Sequence, residues 1–191
     1  MCIRDRDIHY TFRLFVDFLD WALSDGGISN WSLAEIAGAL YCSMDLQDRE
    51  RIDRFVFGKG GAMDHLRAGV YSDGWWCECT IGYNQMAAGL FSEYTVALRP
   101  WGINIANWWV PAQYSNKVHF RNQHADGLCW DIYGENKRNY RSIEDLWDSL
   151  VAMANYRSVV QGVNDSAEEI FQGASPVAFD SRYDIAYAIY K

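Results

Sequence analysis

Two short stretches of this 191-residue chain hold residue types that could perform chemistry together. Asn30 precedes Trp31, and 53 positions later (83 − 30) Tyr83 follows Gly82. An amide side chain donates hydrogen bonds that can neutralise a carboxylate. A tyrosine phenol can supply a proton, and as phenolate can take one, if nearby positive charge lowers its pKa from about 10. Side chains of these types could together move a proton beside a carboxylate.

The residues between these stretches complete a recognisable pattern. Asp73-Gly74, then Glu78, then Gly82-Tyr83, all downstream of Asn30, resembles the signature of the heparinase II/III superfamily of polysaccharide lyases. The resemblance covers residues 26–98 well and the rest of the chain loosely. It implies a lyase that cleaves a uronic-acid-containing glycan (heparin- or heparan-like, chondroitin-like or alginate-like) by β-elimination. The implied partner is an acidic polysaccharide or oligosaccharide, and no cofactor is implied.

The resemblance also assigns roles to individual residues. Tyr83 would be the proton-transfer residue, and Asn30 would neutralise the uronate carboxylate. Their side-chain tips are expected roughly 4–10 Å apart across a cleft, both partly exposed. The residues predicted to contact the substrate are Trp31, Trp75, Glu78, Asn84, His124 and Asn164.

The chain departs from the superfamily pattern in two places. A histidine often follows the catalytic tyrosine, and here Asn84 stands in that position. A further histidine comes, in relatives, from a C-terminal β-sheet domain that has no counterpart in these residues. His124 is therefore interpreted as a loop residue at the rim of the cleft, and the chain alone is expected to be inactive.

Each of these residues also has a structural interpretation. Asn30 could cap a helix, Tyr83 could lie in the core, and Asp73 could cap the helix that contains Tyr83. Glu78 could hold a loop backbone or the Asn30 region instead of touching a sugar. An N-cap at Asp165 would equally explain the turn that contains Asn164.

Two other functions remain open at this point. A glycoside hydrolase on the same fold would need two carboxylates facing one cleft, for which Glu78 with Asp126 or Asp131 are the candidates. The third possibility is a glycan-binding or inactive helical domain. Replacing Tyr83 by Phe separates the lyase from the others, because only a lyase needs the phenol.

Composition excludes some partners. The formal net charge of −8 argues against nucleic-acid binding, which requires a basic face. The basic residues are nevertheless concentrated in one region, and such a local patch could attract a polyanion over the 8–10 Å reach of about one Debye length. This cluster consists of Lys117, Arg121, Lys137, Arg138 and Arg141. No apolar run reaches the 18 residues typical of a membrane span, so no membrane association is expected.

Cysteine and histidine spacing predicts no metal site. Cys77 and Cys79 lie two apart, and His119 and His124 lie five apart without a third partner. Free thiols weakly favour a cytoplasmic location. A periplasmic or secreted location stays open, because the native N-terminus, and any signal peptide with it, is expected to be missing.

Apolar periodicity predicts the elements that position these residues. Helices are expected from about 7 to 23, from Trp31 to Tyr41 behind Ser29 or Asn30, from Asp45 to Val56, through Leu66, from Trp75 to Leu98 behind Asp73, from Ser142 to Val160, from Ser166 to Phe171 and from Tyr183 onward. Residues 101–141 show no sustained period and are expected to be irregular.

These elements predict an all-α fold, and periodicity alone does not choose among a bundle, a solenoid and a toroid. The resemblance implies an incomplete (α/α) toroid of antiparallel helical hairpins. Residues 1–6 read like a translated sequencing adapter and are excluded. Residues 7–191 are then part of one toroid domain, with the native N-terminus and the β-sheet domain expected to be missing.

Overall fold

The computed structural model describes residues 3–113, 140–153 and 185–190, and confirms the all-α prediction. The helices of these ranges are α1 Ile3–Ala22, α2 Asn30–Asp45, α3 Arg49–Phe57, α4 Ala62–Gly69, α5 Ile81–Leu98 and α6 Ile143–Met153. Residues 185–190 are also helical. The extended structure consists of β1 Val110–Pro111 and β2 Tyr140–Arg141, which pair antiparallel, and of an isolated bridge between Val70 and Trp76.

Side-chain caps fix where the helices begin. The Ser29 side chain accepts a hydrogen bond from the Ser32 backbone, and the Ser32 hydroxyl accepts one from the Ser29 backbone, so α2 starts with a capping box. Of the two predicted caps, Ser29 is therefore the correct one. A second capping box lies at Ser142, where Ser142 N donates to Asp145 Oδ2 over 2.8 Å and Asp145 N donates to Ser142 Oγ over 3.3 Å.

The prediction that one helix runs from Trp75 to Leu98 is wrong at its start. α5 begins at Ile81, and Thr80 is its N-cap. Asp73 instead closes a turn, because its Oδ1 accepts from Trp75 N over 3.1 Å. Cys79 has a left-handed backbone with φ of 52°, which interrupts any helix at that point. Cys77 and Cys79 consequently lie on a loop.

The core surrounds α2, which packs against α1, α3 and α5, while α6 packs on the other side of α5. Tyr94 of α5 crosses the core and donates its hydroxyl to Leu33 O in α2. The largest fully buried side chain is that of Trp76, which precedes α5. None of the helices in the described ranges is long and apolar enough to cross a membrane.

The remaining predicted elements are described only in part. Between α5 and β1 the chain forms two 3₁₀ turns, Arg99–Trp101 and Ile105–Asn107. Residues 114–139 and the predicted helix 166–171 lie outside the described residues. α1 runs through the predicted adapter from Ile3 onward, with Asp5 and Arg6 exposed. The adapter origin of residues 1–6 stays a prediction.

Candidate functional site

The site is built on the first turn of α2, residues Ser29–Ser32, which we call the α2 head. Asn30 is the first helical residue, and its side chain is only 7% exposed. Its Oδ1 is buried and has no hydrogen-bond partner. Among the described side chains, Asn104 Oδ1 is the only other such atom. Because buried polar atoms are nearly always bonded, an acceptor without a partner at a helix start favours a donor there, such as a water or a ligand hydroxyl.

Glu78 holds the α2 head from the loop that precedes α5. Its Oε2 accepts from Asn30 N over 2.8 Å and from Trp76 Nε1 over 2.8 Å. The contact with the Asn30 region that one interpretation of Glu78 predicted is therefore present. A carboxylate at a helix N-terminus is stabilised by the helix dipole as well as by the hydrogen bonds. The carboxylate is 8% exposed, so its main role in this structure is structural.

A tight hairpin delivers Glu78 to this position. Cys77 N donates to Gly69 O and Tyr71 N donates to Trp75 O, both over 2.8 Å. Its turn contains Gly74, whose φ is +84° and whose position allows no side chain, since an added Cβ would lie 2.1 Å from Asp145 O in α6. The Asp73-Gly74 element of the sequence pattern thus locks the hairpin against α6.

His65 of α4 is a member of this site that the sequence analysis did not single out. Its ring is fully buried and stacks on the Trp76 ring. Nε2 lies 2.8 Å from the Ser32 hydroxyl, and Nδ1 lies 2.9 Å from Gly61 O. Burial lowers the pKa of His65 from 6.5 to about 4, although Gly61 O and Asp64 oppose the shift. The neutral ring therefore donates to Gly61 O and accepts from Ser32. No sequence spacing signals this contact, which depends on tertiary packing.

Tyr83 and Asn84 occupy the first turn of α5 and have different environments. Tyr83 is half-buried and packs against the hydrophobic core, and its backbone N–H donates to the Thr80 hydroxyl over 3.4 Å. Its catalytic role stays a prediction. Asn84 is fully buried: its Oδ1 accepts from Trp76 N over 2.7 Å, and its Nδ2 donates to Ser149 Oγ over 2.9 Å. The prediction that Asn84 contacts the substrate is therefore wrong, because its amide ties the hairpin to α6.

The predicted stacking residues differ in exposure. Trp31 projects from the α2 head and is 76% exposed, so its ring is available to a flat ligand. Trp75 is half-buried against the core. His124 and Asn164 lie outside the described residues, as do Asp126 and Asp131 of the hydrolase alternative.

Two further expectations about the site are corrected. Asn30 was expected to be partly exposed, but Glu78 draws the α2 head onto the hairpin and buries it. Arg141, the one member of the basic cluster that the structure describes, is 2% exposed and donates by Nε to Val70 O over 2.7 Å. It supports the hairpin backbone and is closed to an anionic glycan. The predicted spacing of Asn30 and Tyr83 stays a prediction.

The arrangement provides hydrogen-bonding groups and an aromatic surface. In the described ranges no group of three or more His, Cys, Asp or Glu side chains could hold a metal ion. Comparison with known proteins gives no matching family model, no matching curated protein and no matching solved structure.

Proposed function

We propose that this chain is part of the catalytic domain of a polysaccharide lyase that acts on a uronic-acid-containing glycan. The observation that carries the proposal is the arrangement of the α2 head, where Glu78 fixes the Asn30 backbone beside the exposed Trp31 ring. The Asn30 Nδ2 group would donate to the uronate carboxylate, and the partnerless Oδ1 would accept from a sugar hydroxyl. Two members of the sequence pattern support this arrangement: Asp73-Gly74 shapes the hairpin, and Glu78 anchors it to α2. Thr80 caps the helix that carries Tyr83.

In the proposed mechanism, the uronate carboxylate docks beside the exposed ring of Trp31 and accepts hydrogen bonds from the Asn30 amide. Neutralising that carboxylate lowers the barrier to removing the proton at C5. Tyr83 as phenolate takes the C5 proton, or as phenol it donates a proton to the glycosidic oxygen that departs from C4. A second group makes the other of these two transfers, and a C4–C5 double bond remains. The helical hairpins are proposed to be part of an (α/α) toroid whose rim carries the α2 head.

The proposal places the carboxylate-binding half of the mechanism within this chain. A further histidine belongs to the β-sheet domain of the superfamily, so the chain alone should bind the glycan and turn it over very slowly. Binding is therefore the primary test, and product absorbance from the C4–C5 double bond is the second. Equal affinity for the glycan and for its carboxyl-reduced form would overturn the lyase proposal.

A glycan-binding domain without catalysis is the second candidate, and the exposure of Trp31 supports it. A stacking platform recognises a sugar ring through its apolar face and does not require a uronate. Binding that is lost in Trp31→Ala and indifferent to a carboxyl-reduced glycan would favour this candidate. A hydrolase is less well supported, since Glu78 is buried and occupied by two N–H donors.

A further inference from the structure

One face of α1 exposes a row of large apolar side chains, which we call the α1 stripe. Tyr10, Leu14, Phe18 and Trp21 are each between 52% and 72% exposed. Their spacings of four, four and three residues place them on one side of the helix. The rings of Phe18 and Trp21 lie 5.9 Å apart, so the stripe is continuous at this end. The opposite side of α1 is already used, because Val16, Leu19 and the following Leu23 are buried in the core.

The first half of α1 is exposed to solvent. Every residue from Asp7 to Thr11 is exposed, so no side of the helix is buried in the core over this range. Isolated helical segments of this length are marginal in water, and most helical stability comes from packing of an apolar face. A partner that covers the stripe would stabilise the exposed half.

We propose that this partner is a second copy of the chain, packed antiparallel through α1. In that arrangement Tyr10 of one copy faces Trp21 of the other, and Leu14 faces Phe18, so the same stripe serves both copies as a two-fold interface requires. The exposed half of each α1 lies along the anchored half of its partner. The antiparallel register follows from this exposure, because a parallel pair would bring together the two unsupported ends.

The area of the stripe fits a weak dimer. Its four residues offer on the order of 500 Å² of apolar surface, because about 150–250 Å² for each aromatic side chain is reduced to the exposed half to three-quarters. A stable interface buries about 800 Å² on each partner. Contiguous apolar patches of more than a few hundred Å² are uncommon on monomers.

Charge complementarity favours the same register. Arg13 flanks the stripe, is exposed, and has no ion-pair partner among the described residues. In the antiparallel dimer it faces the side of the partner helix that carries Asp17, which already pairs with Arg51 of its own chain. Each Arg13 would then extend an existing ion pair across the interface.

Sedimentation equilibrium of the whole chain tests this proposal at concentrations up to roughly 100 μM. The expected species is a dimer, and the double substitution Leu14→Glu with Phe18→Glu should yield a monomer of unchanged helicity. The matched control is Val96→Glu, an exposed apolar position on α5, which should remain dimeric. A monomeric wild type, or a double variant that remains a dimer, overturns the proposal.

A milder variant covers the case in which the double variant does not fold. Arg13→Glu changes one exposed charge and should weaken association by roughly tenfold, with the effect shrinking at high salt. Association that is unchanged by Arg13→Glu at low salt would overturn the antiparallel register. These outcomes are independent of glycan binding at the α2 head.

Discussion

At the residue scale, the site depends on buried polar side chains whose partners come from three different elements. Glu78 from the loop before α5 and His65 from α4 both bind the α2 head. Both also contact the Trp76 side chain, since Glu78 accepts from its Nε1 and the His65 ring stacks on it. The sequence allowed the pairing of Glu78 with the Asn30 region to be predicted. It did not allow the burial of Asn30, Asn84 and His65 to be predicted, because burial depends on how the hairpin folds back.

Removing the Glu78 carboxylate should destabilise the fold. Glu78→Ala leaves Asn30 N and the Trp76 indole without their acceptor, and we expect a loss of about 2–4 kcal/mol in the free energy of unfolding. The control is Glu50→Ala at an exposed position of α3, where the change should stay within about 0.5 kcal/mol. Equal unfolding midpoints for the two variants in a urea titration would contradict the anchoring role of Glu78.

His65 should make stability depend on pH. Its pKa is about 4 in the folded chain and 6.5 when unfolded, so the unfolded state binds more protons between these values. The contribution is fully present above pH 6.5 and is lost as the pH falls toward 4, by about 3 kcal/mol in total. Urea unfolding at pH 7, 5.5 and 4 measures this loss.

The matched variant for this pH dependence is His65→Gln, which keeps hydrogen-bonding groups but cannot titrate. The variant should be less stable than the wild type at pH 7, and the difference should shrink as the pH falls. A difference that stays constant between pH 7 and pH 4 would show that His65 does not carry the dependence.

At the element scale, the sequence predicted most helices but misplaced the starts of α3 and α5. α3 begins at Arg49 behind Asp48 instead of at Asp45, and α5 begins at Ile81. The apolar residues Trp75 and Trp76 suggest that α5 begins earlier, and Asp73 is a residue type that both caps helices and closes turns. The deciding features are the left-handed backbone of Cys79 and the packing of Gly74 against α6. Both depend on tertiary packing, which cannot be predicted from the local spacing of apolar residues.

Two glycines with similar positive φ allow the cost of a left-handed backbone to be distinguished from the cost of a steric clash. Gly74 and Gly102 have φ of +84° and +76°, but an added Cβ would collide with Asp145 O only at Gly74 and meets nothing within 4 Å at Gly102. Gly102→Ala should cost about 1–2 kcal/mol for the left-handed conformation alone. Gly74→Ala should cost clearly more, or displace the hairpin from α6.

Thermal unfolding of both variants tests this account of the hairpin. If Gly74→Ala and Gly102→Ala lose the same stability, the hairpin does not depend on its contact with α6. A larger loss in Gly74→Ala should be accompanied by weaker glycan binding, because the same hairpin carries Glu78 to the α2 head.

At the scale of the whole molecule, composition and periodicity were enough to predict an all-α fold. They were not enough to predict how the helices curve, and the toroid remains part of the proposal. The sequence predicted α1 as a helix, but only the structure distinguishes its buried side from its exposed side. The proposed self-association and the proposed glycan recognition thus involve different surfaces, the α1 stripe and the α2 head.

The central claim is that the α2 head recognises a uronate carboxylate through Asn30, and calorimetric titration tests it most directly. The ligands are a uronate-containing oligosaccharide and the same oligosaccharide with its carboxyl groups reduced, added to the wild type, to Asn30→Ala and to the exposed control Asn107→Ala. We expect the wild type and the control to bind the carboxylate form roughly 10–100-fold more tightly, as a charged hydrogen bond of about 1.5–3 kcal/mol implies. Asn30→Ala should bind both forms equally and weakly. Wild-type binding that does not distinguish the two forms, or discrimination that survives in Asn30→Ala, would contradict the claim.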